Sequence, residues 1–103
     1  MMLKKGVNPI GLRSEMLLAL TVCNEVYKKY KKIMVITSLN DSTHSRKSLH
    51  YSGCAADLRT NYFDRSTQLL VVKDIKTRLS WSPHYDVVLE SDHIHIEYQP
   101  VKD

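Results

Sequence analysis

The chain has little cysteine and no long apolar run. Cys23 and Cys54 are its only two cysteines, too few for a disulfide framework. Cys23 falls in a helical pattern, and Cys54 alternates with Asp57 along an expected strand. Both read as reduced core residues, with the Cys54 thiol pointing away from Asp57. Residues 1–11 carry Lys4 and Lys5 but no continuous apolar segment, which argues against a signal peptide. Residues 16–22 are apolar but broken by Thr21, and the pattern continues as an amphipathic helix. No membrane span is expected. With three glycines and three prolines, the chain shows no linker, internal repeat or low-complexity tract. The expectation is cytoplasmic synthesis, whatever the later destination.

What is present fits one ordinary domain covering residues 1–103. The composition is 43% hydrophobic and 25% charged, within the range of globular proteins. A formal net charge of +4 favours loose attraction to polyanions such as nucleic acid, anionic lipid or wall polymers. Much of it sits in Lys28, Lys29, Lys31 and Lys32 around Tyr30. That run reads as a solvated helix end with cations at the negative dipole terminus. No groove-reading or stacking motif accompanies it, so a nucleic-acid partner is not expected.

Local patterns give an order of elements. Ser14 is placed to cap a helix carrying Met16, Leu20, Cys23, Val26, Tyr27 and Tyr30 on one side. Residues 33–36 read as a buried strand, and 38–48 as a polar loop containing His44. A second strand over 54–59 delivers Asp57. Asp64 is expected to cap a second helix with an apolar stripe of Leu69, Val72, Ile75 and Leu79. Ser80, Ser82 and Pro83 end that helix, and His84 reads as a surface loop residue. Residues 85–90 and 93–98 then form two strands joined at Ser91-Asp92. In the last of these His93, His95 and Glu97 share one face, and Ile94, Ile96 and Tyr98 the other.

The polar residues on that face, together with His50 and Asp57, can surround one metal ion. His50 and Asp57 are joined through a turn at Gly53, with Ala55 and Ala56 keeping the intervening chain slim. His95 is the expected third ligand. Two imidazoles and a carboxylate suit Zn²⁺ and leave a coordination position open, the arrangement of a hydrolase. A general base must lie within hydrogen-bond reach of the attacking water, and Asp92 and Glu90 are the candidates. His93 is placed to stabilise an oxyanion, and Glu97 to support His95 from behind.

These residues also carry a family resemblance. Ser48-x-His50-x-x-Gly53-x-Ala55-x-Asp57 resembles, at every defined position, the first zinc motif of the D-alanyl-D-alanine carboxypeptidase family. That family includes vancomycin-resistance dipeptidases and the L-alanyl-D-glutamate endopeptidases of phage endolysins. Asp92-x-x-His95 is similar to its second motif. Residues 44–57 and the stretch from Glu90 to His95 also resemble the zinc-site region of the hedgehog signalling domain, a structural relative. The resemblance spans roughly the last two thirds of the chain. It implies an α+β fold, a small antiparallel sheet with helices packed against it. It further implies zinc held by His50, Asp57 and His95, Asp92 as general base, His93 in the cleft, and Ser48 contacting substrate. The implied activity is hydrolysis of peptide bonds in bacterial peptidoglycan, on the cell wall if the protein is a phage-type lysin. A non-catalytic zinc-containing module of the same fold is the alternative. Where many members carry a substrate-binding arginine, this chain reads Thr37-Ser38-Leu39-Asn40, so Arg46 or Lys47 is the candidate replacement.

Overall fold

A computed structural model describes residues 1–9, 12–42 and 53–99. Five strands and two helices follow in the order β1 (Met2–Leu3), α1 (Ser14–Lys29), β2 (Val35–Ser42), β3 (Gly53–Arg59), α2 (Arg65–Arg78), β4 (Tyr85–Leu89) and β5 (His93–Tyr98). The strands form one sheet in the order β1-β2-β3-β5-β4. The pairs β2/β3, β3/β5 and β4/β5 are antiparallel, whereas β1 runs parallel to β2. The sheet is therefore mixed rather than purely antiparallel. The difference comes from the short edge strand β1, too brief to show a period of two.

Both helices contribute to a core on one side of the sheet. Met16, Ala19, Leu20, Cys23, Val26 and Tyr27 are the buried positions of α1. They join Ile36, Leu58, Ile94 and Ile96 from the strands and Val71, Val72 and Ile75 from α2 in a single apolar cluster. Cys23 is a free, fully buried thiol, and burial pushes its pKa far up. It is an inert core residue. The Cys54 side chain lies outside the described set.

Several expectations need correction. Ser14 is the first helical residue rather than the cap. Arg13 occupies the N-cap position, and no side chain caps the helix. Ile33 is 61% exposed, and β2 instead runs from Val35 through the polar stretch to Ser42. Pairing with β3, from Ile36 opposite Leu58 to Ser42 opposite Gly53, outweighs the loop-like composition there. In α2 the buried stripe is Gln68, Val71, Val72 and Ile75, while Leu69 is 52% exposed. Val72, Ile75 and Leu79 are buried as expected, but Gln68, although polar, faces inward in place of Leu69. Its Nε2 donates to the carbonyls of Thr60 (3.1 Å) and Phe63 (3.2 Å), and Arg65 Nη1 donates to its Oε1. His84 is half-buried rather than a surface residue, edge-on to Tyr98 at 6.3 Å between ring centroids.

Other expectations match. Asp64 caps α2, accepting from the Thr67 amide at 2.8 Å. β5 spans His93–Tyr98 and pairs with β4 around the Ser91-Asp92 turn, which the Glu90 amide closes onto the His93 carbonyl at 2.8 Å. Among the described residues no helix is long and apolar enough to cross a membrane.

Candidate metal centre and adjoining cleft

The face of β5 turned away from the helices carries His93, His95 and Glu97, because alternation commits Ile94 and Ile96 to the core. On β3 the same parity selects Asp57 and Arg59, since Leu58 is fully buried. The register places Asp57 opposite His95 and Arg59 opposite His93. Directly opposed residues have Cβ atoms about 4.5–5.5 Å apart, so these side chains meet without any loop to bring them together.

Asp57 Oδ1 lies 2.8 Å from His95 Nδ1, and Glu97 Oε1 lies 3.1 Å from His95 Nε2. The imidazole is thus held at both nitrogens by carboxylates. Glu97 is only 6% exposed and also accepts from the Gln99 side-chain amide, so its orientation is fixed. Burial alone lowers the pKa of His95 from its ordinary 6.5. The hydrogen bonds and negative charges of Glu97 and Asp57 outweigh that effect, and the net shift is upward.

Asp92 and His93 form a second pair. Asp92 Oδ1 is 2.6 Å from His93 Nδ1, and its side chain is largely exposed at the turn. With an ionised carboxylate, which only accepts, Nδ1 is the donor of this bond. His93 Nε2 lies 3.6 Å from Asp57 Oδ1, which joins the two pairs into one cluster. A cleft of about 280 Å³ opens beside it, lined by Asp57, Asp92 and His93 with Thr37 and Arg59. Lys4 and Asn61 complete the wall. Thr37 reaches it through an irregularity in β2, where the register shifts between Ile36 and Ser38. Its hydroxyl donates to the Asp57 carbonyl at 3.3 Å. Such bulges re-aim one side chain without ending the strand.

Of the residues expected from sequence, Asp57, Asp92, His93 and His95 come together. Glu90 is exposed and does not line the cleft. His44, Arg46, Lys47, Ser48 and His50 lie outside the described residues. Among the described residues no three His, Cys, Asp or Glu side chains form a metal-sized group. The two described donors still suit zinc chemistry. They offer one nitrogen and one oxygen, and Glu97 sits behind the imidazole, where carboxylates orient and strengthen zinc-bound histidines. Arg59, Lys4, Thr37 and Asn61 were not anticipated. Only Arg59 had a readable signal, its position two residues from Asp57 on the same strand face.

Comparison with curated proteins and with solved structures gives no significant match. The family model of the Hedgehog amino-terminal signalling domain matches residues 12–98, from the start of α1 to the end of β5. That family shares a superfamily with the DD-peptidases, and the five-stranded α+β sheet is compatible with such a fold. With most of its length and both strands of the cluster inside the match, the chain belongs to the Hedgehog amino-terminal signalling domain family.

Proposed function

We propose that the protein is a zinc-dependent peptidase acting on peptide bonds of bacterial peptidoglycan. The observation that carries this reading is an Asp92–His93 pair that lines one cleft with Asp57, the hydrogen-bond partner of His95. A site that only held a metal has no use for that pair. His50, Asp57 and His95 would hold the ion, which when bound polarises a carbonyl and lowers the pKa of water. Glu97 keeps the His95 ring oriented from Nε2. The acid–base element is the Asp92–His93 pair. It takes a proton from the attacking water and returns it to the departing amine nitrogen as the carbon–nitrogen bond breaks. Once protonated, His93 donates from Nε2 and can stabilise the oxyanion.

The deciding experiment digests purified peptidoglycan with zinc-loaded protein and follows new amino groups and muropeptide masses. Release is expected, and Asp92→Asn is expected to abolish it while retaining zinc. A folded, zinc-loaded protein that releases nothing sinks the peptidase reading. The second reading is a zinc-holding interaction module without catalysis. It is favoured by the match to a signalling domain, and retained zinc with no hydrolysis is its signature.

A further inference from the structure

We propose that the β1 edge of the sheet docks onto a bilayer surface that carries anionic lipid. β1 is the outermost strand beside β2, and its register sets Met2 opposite Val35 and Leu3 opposite Ile36. The Met2 amide donates to the Met34 carbonyl at 2.8 Å, so Met1 and Met2 run alongside the chain as it enters β2. Met1, Met2, Leu3 and Ile33 are all exposed, and these large apolar side chains gather at one border of the sheet. Lysines stand at both ends of that border: Lys31 and Lys32 precede Ile33, and Lys4 and Lys5 follow Leu3. Residues 1–9 and 26–37 contain no aspartate or glutamate. Lys28 and Lys29 are turned to Glu25 at 3.8 Å and Asp74 at 3.0 Å. Lys5, Lys31 and Lys32 form no ion pair among the described residues. Lys31 also holds a position that usually belongs to glycine. It follows the C-cap of α1 with a φ of 62°. Its amide donates to the Lys28 carbonyl at 2.9 Å, and the Lys32 amide to that of Tyr27 at 3.1 Å. Such a left-handed residue satisfies the last helix carbonyls, and glycine adopts it with less strain.

The combination of apolar side chains and cations selects the occupant. At a lipid–water boundary the apolar groups enter the acyl region, while lysine stems reach back to the phosphates. A nucleic acid would answer the charge but not the aliphatic and thioether side chains. Nor is the neighbouring Tyr62 ring open for base stacking. It packs edge-on against Phe63 at 5.1 Å and Tyr27 at 6.3 Å, with Lys32 Nζ over its face. Its hydroxyl donates to the Ile33 carbonyl at 2.6 Å. A second copy pressed on the same edge would set these lysines against their own equivalents. Lys4 also lines the cleft beside Asp57 and Asp92, so docking along this edge holds the cleft next to the bilayer. The proposal is independent of the reaction carried out there.

The test measures co-sedimentation of the full-length protein with vesicles of equal parts phosphatidylcholine and phosphatidylglycerol, and with vesicles of phosphatidylcholine alone. Binding is expected to the mixed vesicles only, and it should weaken with added salt. Lys31→Gly should weaken it about fivefold, one lysine's share at an anionic surface. The melting temperature should not fall, because glycine suits the left-handed position. Ile33→Glu should weaken binding about 10-fold or more, again with the melting temperature kept, since the side chain is exposed. Lys73→Gln, an exposed lysine of α2 away from this edge, should bind as the parent does. Failure to bind the mixed vesicles overturns the proposal, as does binding indifferent to Ile33→Glu. A loss as large for Lys73→Gln as for Lys31→Gly would reduce the effect to net charge and overturn it too. So would tighter binding to duplex DNA than to vesicles, or a dimer in sedimentation velocity that Ile33→Glu dissociates, which would assign the edge to those partners.

Discussion

Asp57 and His95 are directly opposed across β3 and β5, with Oδ1 and Nδ1 2.8 Å apart. Two donors bound to one tetrahedral zinc at about 2.0–2.1 Å stand about 3.3 Å from each other. Zinc loading should therefore replace this hydrogen bond and open the pair by roughly half an ångström. Asp57→Ala and His95→Ala should each reduce zinc from one equivalent to a trace by elemental analysis. Chelation of the parent protein should stop hydrolysis, and added Zn²⁺ should restore it. Full zinc retention in both variants would remove these residues from the ligand set.

Glu97→Gln tests the carboxylate behind His95. The amide keeps the shape but loses the charge that orients and strengthens the imidazole. Zinc affinity should fall about 10- to 100-fold, measured by competition with a chromophoric chelator. An unchanged affinity would make Glu97 a buried carboxylate with no part in the site.

Gln68→Leu tests the polar residue inside the core. The substitution adds apolar surface but leaves the Thr60 and Phe63 carbonyls without the donor they now share. Stability should fall by about 1–3 kcal/mol, read from urea denaturation. A neutral result would mean that the turn between β3 and α2 relaxes to water.

Asp74 tests surface electrostatics against pH. Burial by itself raises its carboxyl, but hydrogen bonds and charges from Lys29 and Arg78, each 3.0 Å away, bring it below its ordinary 3.8. A depressed carboxylate stabilises the fold above its unfolded pKa and loses that contribution as pH falls through the folded one. Asp74→Asn should then be less stable than the parent by up to about 1 kcal/mol at neutral pH. The gap should close as pH drops below 3.8. A gap that persists in acid would point to packing rather than charge.

How far the sequence could be read depended on period and on pairing. β5 was legible residue by residue because its alternation of polar and apolar side chains is strict over six residues. Asp64 was legible as a cap because its role is local. β2 was not, since residues 38–42 are polar and become a strand only through β3. In α2 only Leu69 was misplaced, because Gln68 turns inward instead, and its reason for being buried lies in two carbonyls of the turn before the helix. Arg59 was overlooked because it falls outside the motif, although the alternation that places Asp57 places it too.

The alternation of β5 has a consequence for how this chain tolerates change. Substitutions can alter His93, His95 or Glu97 one at a time while Ile94 and Ile96 stay in the core. A single-residue insertion or deletion inside the strand has no such freedom, because every side chain beyond it moves to the opposite face. It would send histidines into the apolar cluster and isoleucines into the cleft in one event. Point mutation can tune the chemistry of this strand, but length variation within it removes fold and chemistry together.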